Sequence, residues 1–78
     1  HETLASFLNY LNYEGVRKVA SIVIEVANEN SENGPIMGGL SHSLMFETTK
    51  EGLISAILSF AEAWKVDLEL VKERFLKL

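Results

Sequence analysis

The chain has 78 residues, 47% of them hydrophobic and 23% charged, with one proline and no cysteine. This length is expected to hold a single domain, 1–78, and one so small buries only about 60% of its unfolded surface, so it leans on disulfides, a metal or a partner. The lack of cysteine excludes disulfides and cysteine-ligated metals, and a formal charge of −4 argues against binding a nucleic-acid backbone, which needs clustered Lys and Arg.

The charge is uneven. Residues 1–52 carry three basic and seven acidic side chains, whereas 53–78 carry four of each. No apolar run approaches the roughly 18 residues of a membrane span. No basic stretch precedes an apolar one in the manner of a secretory signal. The expected location is therefore the cytoplasm, with no membrane partner.

Residues 2–13 read as a helix. Leu4, Phe7, Leu8 and Leu11 share one face of a 3.6-residue repeat, Thr3 or Glu2 stands near the start, and Gly15 is placed to end it or begin the next element. Residues 16–27 fit two periods. As a helix, Arg17, Ser21, Glu25 and Glu29 form a polar stripe; as a strand, Ala20, Ile22, Ile24 and Val26 face away from Ser21, Val23, Glu25 and Ala27. Six of the eleven residues from Val16 to Val26 are Val or Ile, which favours a pleated surface.

The segment 28–35 consists of turn residues, and 40–47 alternates: Leu40, His42, Leu44 and Phe46 against Ser41, Ser43, Met45 and Glu47. Were 16–30 a helix, 31–47 would be a long structureless loop carrying apolar residues, which is uncommon. The expected fold is therefore α+β, ordered α-β-β-α-α, with strands at about 18–27 and 40–47 forming a two-stranded antiparallel hairpin packed on helices. The alternative is an all-α four-helix bundle with 16–30 as its second helix.

Thr48 or Thr49 caps the next helix, and Thr48 with Glu51 has capping-box spacing. Leu53, Ile57, Phe60 and Trp64 form one apolar stripe of this helix, and Ile54, Leu58 and Ala61 a second beside it. A helix apolar nearly all round is buried nearly all round. Lys65-Val66 breaks it, and Asp67 N-caps a last helix with Leu68, Val71, Phe75 and Leu78 inward. The short connection predicts that these two helices form an antiparallel pair.

No motif supplies a chemistry. The run 28–34 lacks the bidentate carboxylate of a calcium loop, because its twelfth position is Leu40. The glycines of 34–39 lack the Gly-Lys-Ser/Thr ending of a phosphate loop. His42 stands between Ser41 and Ser43, but strand neighbours point to opposite faces, so it reads as a core or interface histidine sharing the face of Leu40 and Leu44. No catalytic residue, metal site or cofactor is expected.

His1-Glu2 ahead of a helix, followed by residues 15–26, GVRKVASIVIEV, resembles the opening of the nickel-chaperone family of hydrogenase maturation. The zinc-binding cysteines of that family are absent, and the resemblance assigns no site.

The function expected by subtraction is that of a small acidic cytoplasmic protein-interaction or regulatory domain, not an enzyme, working as a homodimer and binding a protein partner. Two hairpins joined across a two-fold axis would cover their open edges. The expected contact residues are Glu29, Glu32, Asn33 and Met37 of the connecting loop and Ser41, Ser43 and Met45 on the exposed strand face. The alternatives are a DNA-associated regulator using Arg17, Lys18 and Lys50, and a small enzyme or enzyme subunit using His42 with Glu47.

Overall fold

A computed structural model describes residues 3–29 and 40–78, and among them every regular element is a helix. The elements are α1 (Leu4–Asn9), α2 (Tyr13–Glu29), α3 (Leu40–Phe46), α4 (Lys50–Trp64) and α5 (Leu68–Leu76). The hairpin is absent. What was expected as strand 18–27 lies inside α2, and strand 40–47 is α3 with the residue that follows it. The all-α alternative fits, with one more helix than the four it counted.

Magnitudes explain α2. Placing Val or Ile in a helix costs a few tenths of a kcal/mol per residue, whereas full burial of each contributes about 1.5–3 kcal/mol. Val16, Val19, Ala20, Ile22, Val23, Val26 and Ala27 are all buried along one side of the helix. Burial wins. Glu25, Ser21 and Glu29 lie on the opposite, exposed side, with Arg17 half-buried. Asn12 caps the helix by accepting from Gly15 N–H at 2.8 Å. The cap places Gly15 in the first turn of α2, so of the two roles expected of it Gly15 begins the second element and does not end the first.

The reading of 40–47 fails for a geometric reason. A period of two contains a period of four, so Leu40 and Leu44 share a face in either a strand or a helix. His42 and Phe46 discriminate: a strand would turn both inward with the leucines, whereas a helix turns His42 about 200° away from Leu40. Leu40 is buried and Leu44 half-buried, while His42 and Phe46 are exposed. Of the two expectations for His42, core or interface, the core one is thereby corrected.

The core is one cluster. α2 packs along both α4 and α5, α3 lies across α2 and α4, and α1 rests on α4. α5 therefore pairs chiefly with α2 and not with α4, contrary to the antiparallel pair expected. Phe7 of α1 meets Phe75 of α5 edge-on, ring centroids 5.6 Å apart. Thr49, not Thr48, caps α4 by accepting from Gly52 N–H, and Asp67 caps α5 as its sequence predicts.

The turn between α4 and α5 is a Schellman motif. Lys65 adopts a left-handed conformation (φ 51°), Val66 N–H donates to Ala61 O at 3.0 Å and Lys65 N–H to Glu62 O at 3.4 Å. Val66 is buried beside Ala61, the apolar contact typical of this cap. A side chain at a left-handed position costs about 1–2 kcal/mol, partly offset by the larger unfolded-state entropy of glycine. Lys65 is exposed, so the substitution gives up little buried surface. Lys65→Gly is therefore expected to stabilise the fold by about 0.5–1 kcal/mol, seen as a higher urea midpoint with unchanged slope. A lowered midpoint would contradict this account of the turn.

Candidate functional site

α3 is too short to be stable alone, and two side chains of α2 hold it in place. Arg17 Nη1 donates to Leu44 O at 2.7 Å, and Tyr13 Oη donates to Glu47 O at 2.7 Å. These carbonyls belong to the C-terminal end of α3, where the partial charge is negative and a cation is favoured. The Arg17 guanidinium also stands 5.8 Å from the Tyr13 ring centroid. Leu40 and Leu44 anchor the inner side.

The outer side is largely apolar and, among the described residues, uncovered. His42, Met45 and Phe46 fall at i, i+3 and i+4, and Met45 and Phe46 are 77% and 63% exposed. The His42 and Phe46 rings lie 4.5 Å apart, tilted by 41°. The α1–α2 connection lies alongside the α3–α4 connection, because Lys50 Nζ donates to Asn9 O at 2.8 Å and Tyr13 reaches Glu47. Tyr10, next in chain to Asn9, is 84% exposed. Glu14 and Glu51 occupy the first turns of α2 and α4 at this corner. The Glu47 carboxylate lies against Gly52.

Glu32, Asn33 and Met37, and with them the glycine-rich 34–39 run, lie outside the described residues. Ser41 belongs to α3, with its side chain outside the description, and Ser43 is half-buried. Met45 alone of that set is fully presented. Glu29 is engaged within the chain: Arg74 of α5 grips it through Nη1–Oε2 and Nη2–Oε1, both 2.6 Å, and also reaches Glu25 at 3.2 Å. Phe46 and Tyr10 stand outside the expected contact set, and His42 was expected as a core or interface histidine. Their signals were present: 42 and 46 oppose 40 and 44 on a helix, and Tyr10 falls off the Leu4–Phe7–Leu8–Leu11 stripe.

The Arg74 fork ties the C-terminal end of α2 to α5. Its hydrogen bonds lower the pKa of Glu29, and the guanidinium's own pKa is raised in return; Lys77 lowers that of Glu73 in the same way. For a carboxylate lowered on folding, the contribution is complete above the ordinary Glu value of about 4.3 and is lost as pH falls through the lowered one. Glu29 is therefore expected to titrate at lower pH in this chain than in Arg74→Ala, measured from its carboxyl carbon by NMR. Equal midpoints would show that the fork does not form in solution.

Other features offer less. A half-open cleft of ≈ 270 Å³ lies between α1 and α5, lined by Thr3, Leu4, Phe7, Leu68, Glu69 and Lys72, with Lys72 Nζ 5.4 Å from the Phe7 ring centroid. It falls just below the size of ordinary ligand pockets, about 300–1,000 Å³. Among the described residues no three His, Asp or Glu converge as metal ligands, and no helix is long and apolar enough to cross a membrane. Of the three cations a nucleic-acid contact would use, Arg17 and Lys50 are committed to backbone carbonyls, and Lys18 is exposed. His42 stacks on Phe46, while the Glu47 carboxylate sits at Gly52.

These elements define a small all-helical domain with an exposed aromatic and methionine face on a pinned helix. No family model matches the chain, and no curated protein or solved structure is significantly similar to it. The likeness of its opening to the nickel chaperones is thus not accompanied by a family match.

Proposed function

We propose that this chain is a small acidic protein-interaction domain, regulatory and cytoplasmic in setting, that binds a protein partner through the outer face of α3. The observation that carries the reading is the joint exposure of His42, Met45 and Phe46 on a helix held by Arg17 and Tyr13. A contiguous apolar patch on a fixed element marks a contact site. Aromatic rings offer large contact area at low entropic cost, and methionine adapts to the shape it meets. A homodimer built from paired hairpin edges goes with the hairpin. The apolar excess of 53–64 is also largely covered within the chain, by α1, α2 and α3.

The reading favours binding over catalysis because, among the described residues, no carboxylate is seen orienting His42 as in a Ser-His-Asp triad. It favours a protein over DNA because two of the three cations are already hydrogen-bonded inside the fold. The test is site-specific photo-crosslinking in the native host, with benzoylphenylalanine at Phe46 or at Ser21, an exposed position on α2. A discrete protein adduct is expected from 46 and not from 21. Adducts of equal yield from both positions, or none from 46, would refute the assignment of the face.

A further inference from the structure

We infer that α3 is an internal ligand of the fold: a strap that lifts from a helix-docking seat on α2 and α4, and that another helix of the same simple pattern can replace. The inference concerns the inner side of α3 and goes beyond the reading of its outer face.

The way α3 is held carries the argument. A helix of seven residues makes too few internal bonds to persist by itself, so its place depends on α2 and α4, across which it lies. Among the described residues it buries one side chain fully, Leu40, with Leu44 half-buried. α2 has seven buried residues and α4 has five. Elements with so little buried surface open locally while the rest stays folded. The two hydrogen bonds that α2 gives to this segment end on its backbone, Arg17 Nη1 on Leu44 O and Tyr13 Oη on Glu47 O, both 2.7 Å. Carbonyls of this kind stand free at the C-terminal end of every helix. Recognition thus rests on two leucines four residues apart and on a helix end, features that many amphipathic helices share. Arg17 and Tyr13 lie one turn apart on α2 and within 3.5 Å of each other. They stay on α2 when α3 lifts, so the open seat keeps its donors.

The experiment has two arms, both on the whole chain. In the first, amide exchange of the unaltered chain is followed at urea concentrations below its unfolding transition. Residues 40–46 are expected to show protection roughly a hundredfold below that of the cores of α2 and α4, with a weak dependence on urea, the mark of a small opening. Protection and urea slope equal to those of α2 would make α3 an integral part of the core and overturn the inference. In the second arm, Leu40→Ser/Leu44→Ser empties the seat, and an end-capped peptide of residues 40–47 is added, stapled through positions 42 and 46. The staple holds the helix and removes His42 and Phe46, so the peptide reports the seat and not the outer face. A tethered segment acts at an effective concentration of about 1 mM. The free peptide is therefore expected to bind with Kd below about 1 mM and to shift the amides of Tyr13 and Arg17. Adding Arg17→Ala should weaken it roughly tenfold or more. A double variant that loses the helical signal of α2 and α4 along with α3, or a folded one whose α2 resonances the peptide leaves unmoved, would overturn the inference. Neither failure touches the reading of the outer face, whose crosslinking test is separate.

Discussion

Val23→Asp is expected to unfold the chain, and Ile24→Asp to leave it folded. Val23 is fully buried among the residues of α2 that face α4 and α5, whereas its neighbour Ile24 is only half-buried at the edge of the core. An aspartate at 23 would strand a carboxylate with no partner, at a cost above about 4 kcal/mol. A chain of this length has roughly 4–12 kcal/mol in all. At 24 the carboxylate can turn to water, with the loss of partial burial alone. The pair also separates two architectures, because a strand would turn Ile24 inward and Val23 outward. Loss of far-UV helical signal in the first variant and its retention in the second is the expected result; the reverse would restore the strand register.

Arg17→Ala is expected to release α3 before the rest of the fold. The substitution removes a charged hydrogen bond of 2.7 Å to Leu44 O, worth about 1.5–3 kcal/mol, and leaves a carbonyl at the end of α3 unsatisfied. Tyr13→Phe removes the neighbouring bond to Glu47 O, worth about 1 kcal/mol. The two residues touch, with Arg17 Nη1 3.5 Å from Tyr13 Oη, so the double variant should cost less or more than the sum and not equal it. Amide exchange locates the effect: residues 40–46 should lose protection while α2 and α4 keep theirs. Unchanged protection of 40–46 would show that burial of Leu40 and Leu44 alone holds α3. If α3 is released, the proposed contact should weaken without any change at Met45 or Phe46.

The two variants probe the places where local pattern and tertiary contact disagree. In 16–27 the β-branched composition pointed to a strand, and a per-residue propensity of tenths of a kcal/mol is overruled when seven positions become buried together. In 40–47 the alternation was real, but half of it is shared by helix and strand, so only the exposure of His42 and Phe46 distinguishes them. Met45 is exposed under either period, whereas Ser43 moves toward the interior and His42 and Phe46 move out. Glu29 was legible as an exposed acid on a helix stripe, yet its bond to Arg74 joins positions far apart in the chain, and no local pattern reports such a pairing.

Residues 1–52 hold seven acids against three bases, and the composition alone left open whether that excess was mere solubility. Composition determined the lack of cysteine and the acidic front half, and 3.6-residue periodicity placed α1, α4 and α5 with the caps Thr3 and Asp67. These features depend on side chains within a turn or two of each other. The tertiary structure alone decided that α2 is a helix, that α5 turns back onto α2 through a left-handed Lys65, and that Arg17 and Lys50 are spent on carbonyls. Each of those outcomes depends on surface buried, or a bond made, between residues distant in sequence, which is why the exposed face of α3 emerges only when the chain is folded.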